Sequence, residues 1–187
     1  MLLVLQNIDW SILKWIHTTF SCGILDIFMP IITRLGSGGM LWIITAIIML
    51  FTKKYRKCGV LIICGLLTGL LVGNVVLKNL LARPRPCWID TGFALLIATP
   101  TDYSFPSGHT LSSVIAAVIL TLTNRKFGFF AIPAAVLIAF SRLYLYVHFP
   151  SDVFGAAIIG IIIGYLVFVL GGKAYNNVVK NKRIISF

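Results

Sequence analysis

Charge is what this chain has little of. Only 11% of its 187 residues are charged, against about a quarter in an ordinary soluble domain. Acidic residues number five, and Asp9, Asp26, Asp90, Asp102 and Asp152 are scattered, so the sequence offers no carboxylate cluster on which to build a metal centre. Cys22, Cys58, Cys64 and Cys87 show no metal-ligand spacing. Cys22 and Cys87 fall on one side of the topology derived below, which leaves two alternatives: a disulfide, or two unpaired small residues. The first twenty residues lack the positively charged start and continuous apolar centre of a secretory signal. Internal repeats and low-complexity segments are also missing.

What the chain does have is apolar: 59% of it is hydrophobic, in runs that approach or exceed the ~18 residues of a membrane-spanning helix. In lipid every backbone polar group must be satisfied within the chain, and helices do that. The pattern predicts an all-α polytopic bundle with spans at 39–52, 58–77, 108–123, 127–147 and 152–170. Residues 1–20 carry apolar positions at 5, 8, 12, 15 and 16 with polar residues between them. That period predicts an amphipathic helix in the interface, at a depth that suits Trp10 and Trp15; a full span is the alternative. Residues 24–35 read as a second short helix, and "GSGG" at 36–39 as a break before the first span.

The formal net charge is +11. Its carriers sit in short clusters between apolar runs: "KKYRK" at 53–57, "NRK" at 124–126, and a tail with Lys173, Lys180, Lys182 and Arg183. This is the pattern of membrane topology and anionic lipid, and it argues against nucleic acid as a partner. An even number of spans separates the clusters, which places all three on the cytoplasmic side and 78–107 and 148–151 together on the other.

That other side should be poor in cations, yet Lys78, Arg83, Arg85 and Arg142 all lie at or near it. Ionisable groups at membrane depth are costly and tend to be functional. Any one of them is explained by snorkelling to head groups; four from three segments would repel one another unless an anion sat among them. Two histidines arrive there too. In "PSGH", 106–109, Pro106 suits a helix start, and the free amides of Ser107 and Gly108 make an anion site just before His109. An ordinary helix start is the alternative. His148 and Asp152 are four apart, a spacing that on a helix lets the carboxylate hold one ring nitrogen and leaves the other free as base or nucleophile. A helix cap is the alternative for Asp152. Cations with helix-terminal amides fit a phosphoryl group best.

These residues resemble the three-part signature of the type 2 phosphatidic acid phosphatase (PAP2) superfamily, membrane relatives of the vanadium haloperoxidases. K-x6-R-P is matched from Lys78 to Arg85-Pro86, P-S-G-H at 106–109, and S-R-x5-H-x3-D by Ser141, Arg142, His148 and Asp152. The resemblance implies that His148 is the nucleophile and forms a phosphohistidine, that Asp152 orients it, and that His109 protonates the leaving oxygen and then activates water. It implies that Lys78, Arg85, Ser107, Gly108 and Arg142 hold the phosphoryl oxygens, with no metal and no cofactor. Arg83 lies outside the signature and is read as meeting lipid head groups, or else a second phosphate. The segment 87–105 is either a lid over the site or an interfacial loop.

The expected organisation is a single membrane-embedded phosphatase domain, 1–187. It divides into N-terminal interfacial helices (1–35), a transmembrane core (39–170) and a cytoplasmic tail (171–187). Substrate expectations follow the resemblance: undecaprenyl diphosphate first, then phosphatidylglycerophosphate or phosphatidate. A non-catalytic lipid-phosphate binding or transport protein is the reading from another class, and intact His109, His148 and Asp152 argue against it, because binding alone needs no oriented histidine. The expected partners are the bilayer and a phospholipid or polyprenyl (di)phosphate, at an active site on the extracytoplasmic face of the plasma membrane.

Overall fold

The computed structural model describes the backbone of residues 2–185 and the side chains of residues 4–181. Lys182 and Arg183 of the tail lie outside those side chains, and residues 186–187 lie outside the described chain. The described residues form helices α1 (Leu2–Phe20), α2 (Gly23–Gly36), α3 (Met40–Phe51), α4 (Arg56–Gly69), α5 (Lys78–Leu81), α6 (Pro86–Ile89), α7 (Gly108–Thr123), α8 (Arg125–Tyr144), α9 (Pro150–Leu166) and α10 (Gly172–Ile185), with no strand among them.

Four stretches are long and apolar enough to cross a membrane: Gly23–Phe51 (29 residues), Arg56–Ile89 (34), Arg125–Tyr144 (20) and Pro150–Asn181 (32). The expected break at 36–39 is present: α2 ends at Gly36, Ser37 is extended, and α3 begins at Met40. Gly38 (φ 59°) and Gly39 (φ 72°) take left-handed conformations that glycine adopts without strain. The backbone bonds from Ser37 to Arg34 and from Met40 to Ser37 are kept. The chain therefore turns between α2 and α3, and α2 is the expected second short helix.

The expected span at 108–123 is a 16-residue helix, about 24 Å long at 1.5 Å per residue, against roughly 30 Å of hydrocarbon. It can be short because protein surrounds it: α7 packs against α4, α8 and α9, and Leu111, Ile115, Ile119 and Leu120 are buried. Small residues permit the close approach, as is usual between helices in lipid. A Cβ on Gly160 would stand 2.9 Å from Val114 Cβ, and one on Gly164 2.9 Å from Val118 Cβ. On the outside, Phe129 and Phe130 are 75% and 74% exposed, an arrangement suited to lipid rather than water. The chain is a multi-pass membrane protein.

α1 is not among the four long rods. Its apolar period does mark one face, but that face points outward: Leu5, Ile8, Ile12 and Trp15 are exposed, whereas Asp9, Leu13 and Ile16 are buried against the protein. The basic clusters gather at one end of the bundle. Lys57 Nζ donates to Asn176 Oδ1 at 3.1 Å, and the Tyr55 and Phe127 rings lie edge to face at 5.0 Å. All four cysteines are free thiols.

Candidate active site

The chain's descent from α5 supplies the first cations. The turns Leu70–Leu77 are widened into a π-helix, a distortion frequent at functional sites. The helix stops at Ala82, whose φ of 43° is left-handed. Arg83-Pro84-Arg85 then runs extended up to Pro86, which opens α6, as residues before proline prefer. Arginines two apart on an extended chain point to the same side, and both reach the segment 147–152. Arg85 Nη1 donates to Val147 O at 2.7 Å and faces His148 Nε2 at 3.0 Å. Arg83 Nη1 donates to Asp152 Oδ1 and Ser151 Oγ at 2.6 and 2.7 Å. Arg83 Nη2 donates to Asp9 Oδ2 and Gln6 Oε1 at 2.6 and 2.9 Å. Its guanidinium also lies over the Phe149 ring, 4.4 Å from the centroid. The structure thus directs Arg83 inward, to neither lipid head groups nor a second phosphate.

His148 precedes α9, which begins at Pro150 with Phe149 as its cap. The histidine is therefore off the helix, and the expected face-sharing of residues four apart does not apply to it. Its Nδ1 stands 3.7 Å from Asp152 Oδ2, too far for a hydrogen bond. Ser104, which sequence reasoning missed, fills the gap: its Oγ lies 3.4 Å from His148 Nδ1 and donates to Asp152 Oδ2 at 2.5 Å. With Arg85 donating toward Nε2, the bonding pattern puts the ring proton on Nδ1, directed at Ser104. Asp152 Oδ2 also accepts from Phe149 N at 2.8 Å, so the helix-cap alternative holds alongside the orienting one. Burial, followed by the charges of Arg85, Arg142 and Lys78, lowers the His148 pKa well below its ordinary 6.5. The imidazole is neutral, and its Nε2 lone pair faces the cavity side.

"PSGH" folds as expected into a helix start. Ser107 caps α7, accepting from Thr110 N at 3.5 Å and Thr110 Oγ1 at 3.1 Å. His109 Nε2 is 3.4 Å from Ser37 Oγ on the kink. Arg142, near the end of α8, donates to Thr33 Oγ1 at 2.5 Å, while its Nε is buried with no partner. Thr33 and Ser37 are polar positions of an apolar rod, with no spacing relation to the signature that would have marked them.

Lys78, Arg85, Gly108, His109, Arg142 and His148 line one cavity of about 1170 Å³; Ser107 and Asp152 sit behind its wall, each 0% exposed. Leucines and isoleucines of α3 and α4, among them Ile43, Ile47, Ile63 and Leu66, continue the cavity between helices. The stretch 95–102 of the expected lid forms another wall. From it Asp102 pairs with Lys78 Nζ and, at 2.6 Å, with Arg85 Nη2. Burial pushes the Asp102 carboxyl up, but the bonds and charges of Lys78 and Arg85 prevail and hold its pKa at about 2. Among the described residues no three His, Cys, Asp or Glu side chains converge as metal ligands. Chemically the set is a neutral imidazole held by a serine-carboxylate pair, a second histidine across the cavity, and three cations: the parts of a phosphoryl-transfer site.

Comparison with known proteins agrees. The family model described as PAP2 superfamily matches residues 58–175. The undecaprenyl-diphosphatase of Sulfolobus acidocaldarius is 38% identical over 127 residues, 67% of this chain and 61% of that protein. The undecaprenyl-diphosphatase BcrC of Bacillus subtilis is 32% identical over 165 residues, 86% of this chain and 82% of that one. The crystal structure of a transmembrane PAP2-type phosphatidylglycerolphosphate phosphatase from Bacillus subtilis superposes with a TM-score of 0.75 at 30% identity, covering 91% of this chain and 87% of that one. On the family match, these relatives and the intact three-part motif, the chain belongs to the PAP2 superfamily.

Proposed function

We propose that this PAP2-type phosphatase hydrolyses a lipid diphosphate, undecaprenyl diphosphate, to undecaprenyl phosphate and inorganic phosphate through a phosphohistidine on His148, without a metal. The observation that carries the reading is the convergence of Lys78, Arg85, Arg142, His109 and His148 on one cavity whose far wall is apolar. A phosphoryl head fits the polar end, and a polyprenyl tail fits between α3 and α4.

In the first step His148 Nε2 attacks the terminal phosphorus. The bond to the bridging oxygen breaks, and His109, protonated once the substrate's negative charge offsets the cations around it, gives its proton to that oxygen. Lys78, Arg85, Arg142 and the Gly108 amide of α7 stabilise the charge spread over the phosphoryl oxygens, whereas the Ser107 amide, expected to join them, donates to Asp152 O at 3.3 Å. In the second step His109, now neutral, takes a proton from water; the oxygen attacks phosphorus, the P–N bond breaks, and phosphate and neutral His148 are released. Asp152, through Ser104, supports the positive charge that develops on His148 during attack.

The whole chain acts as one membrane-embedded domain. By the positive-inside rule the site faces the extracytoplasmic side, with α10 on the cytoplasmic side. Two relatives named as undecaprenyl-diphosphatases support the choice of lipid. Phosphatidylglycerophosphate is the second reading, favoured by the likeness to the Bacillus structure. The test is phosphate release by the purified protein with a chelator present, with undecaprenyl diphosphate, phosphatidylglycerophosphate and phosphatidate side by side. The diphosphate should have the highest kcat/KM; a clear preference for either phospholipid moves the assignment, and loss of all release on chelation overturns the metal-free chemistry.

A further inference from the structure

The donors of Arg85 are all committed. A guanidinium has five N–H groups, and Arg85 has five acceptors: Asp102 O at 2.6 Å, Val147 O at 2.7 Å, His148 Nε2 at 3.0 Å, Asp102 Oδ1 at 2.6 Å and Tyr103 O at 3.3 Å. Lys78 is paired with the other oxygen of the same Asp102 carboxylate. Arg142 differs, since its Nε is buried and unpartnered. Arg142 lines the cavity, so a phosphoryl group can meet it without displacing a protein acceptor from that nitrogen, but it can gain Arg85 and Lys78 only by removing something from them. Three of the five Arg85 acceptors are backbone carbonyls, and one is the nucleophile itself. The fifth, the Asp102 carboxylate, belongs to a side chain that is 53% exposed on the cavity wall. It alone can turn away into solvent.

We propose that Asp102 is a resident anion of the phosphate site, displaced by substrate, and that it makes the site select dianionic terminal phosphates over monoanionic phosphodiesters. The argument is one of charge. Replacing a carboxylate by a phosphomonoester dianion adds one negative charge beside Lys78, Arg85 and Arg142, and supplies a third oxygen to Arg142. Replacing it by a phosphodiester adds no charge and still uncovers Asp102. Bilayer phospholipids are mostly phosphodiesters and crowd any site at the membrane surface. A built-in monoanion keeps them out of this one, and releases Arg85 from His148 only when a dianion arrives. The inference rests on the phosphatase reading for its purpose, but the binding it asserts is measurable without turnover.

The test is calorimetric titration of the full chain in detergent at about pH 8, with inorganic phosphate as the dianion and dimethyl phosphate as the monoanion. Wild type should bind phosphate at least tenfold more tightly than dimethyl phosphate. Asp102→Asn should bind dimethyl phosphate at least tenfold more tightly than wild type does, and the discrimination should collapse; Asp102→Glu should keep it. If Asp102→Asn binds both anions more weakly, or with the wild-type ratio, Asp102 is a fixed anchor of the cations and the proposal fails. Equal binding of the two anions by wild type overturns it without any variant, as does failure of wild type to bind phosphate. Lipid hydrolysis assayed in parallel keeps the two readings apart: an active enzyme with unchanged anion selectivity in Asp102→Asn sinks only this inference.

Discussion

Arg83 donates to Asp152 Oδ1 at 2.6 Å, on the carboxylate oxygen that neither His148 nor Ser104 contacts. Its other nitrogen holds Asp9 of α1 at 2.6 Å. One guanidinium thus ties the first helix of the chain to the residue that orients the nucleophile. Removing it leaves two buried carboxylates unpaired, since the side chains of Asp9 and Asp152 are 2% and 0% exposed. Arg83→Ala should lower stability by roughly 3 kcal/mol, the usual cost of breaking a buried pair from one side. Arg83→Lys should recover only part of it, because a lysine cannot fork to two carboxylates. Thermal melts followed by tryptophan fluorescence in detergent check this. A melt of Arg83→Ala equal to wild type would show that the pair contributes nothing to stability.

Ser104 is the hydroxyl between His148 and Asp152. Ser104→Ala removes the bridge and leaves the ring nitrogen and the carboxylate 3.7 Å apart. The nucleophile then loses its aim, and misplacement of that kind costs on the order of 10²-fold in rate. The loss should fall on kcat with KM little changed, because Ser104 is fully buried and does not line the cavity. Steady-state kinetics on the preferred lipid separate the two constants; a rise in KM at constant kcat would instead make Ser104 a substrate contact.

His148 gives a pH prediction whose sign follows from its lowered pKa. In the folded protein the imidazole stays neutral, whereas the unfolded chain protonates it near pH 6.5. Below that value the unfolded state binds the extra proton, so stability present above pH 6.5 is lost as pH falls. Asp102, with a pKa of about 2, stays ionised from neutral pH to about pH 5 and does not contribute in that window. His148→Asn lacks the titrating group. The wild-type melting midpoint should therefore drop more between about pH 7.5 and pH 5 than that of His148→Asn, and equal drops would count against a neutral buried His148.

Gly36 is the contact between the α2–α3 kink and the second histidine. A Cβ there would stand 2.6 Å from Ile138 Cγ2 and 2.9 Å from His109 Cδ2. Gly36→Ala should cost about 1–3 kcal/mol through overpacking and should lower kcat by shifting His109. The phosphohistidine should then form and break more slowly at unchanged lipid binding, which single-turnover kinetics would resolve.

Much of this was legible in the sequence, for identifiable reasons. Hydropathy marks the rods because lipid demands unbroken apolar helices. The glycines of 36–39 mark the break between α2 and α3, where Gly38 and Gly39 take left-handed conformations. Hydropathy marks the helix at 108–123 but not the protein that surrounds it, because burial within protein and burial in lipid read alike. The eight site residues assigned from the signature are legible because their spacing is fixed, and six of them line one cavity. Their partners are not. Asp9 lies 142 positions from Ser151, Thr33 109 from Arg142, and Ser104 48 from Asp152. Single polar residues at such separations carry no periodicity, and only the fold brings them together. Arg83 was misjudged for a related reason: position at a membrane boundary suggests head groups, but its acceptors come from α1 and the start of α9.

The central claim is that His148 carries the phosphoryl group. The most direct measurement is a rapid acid-free quench of the enzyme turning over a lipid diphosphate labelled in its terminal phosphate, followed by peptide mapping. The account predicts a label that is stable to alkali, lost in acid, located on His148 and missing from His148→Ala. Turnover with no label on His148, or a labelled intermediate that survives in His148→Ala, would contradict it.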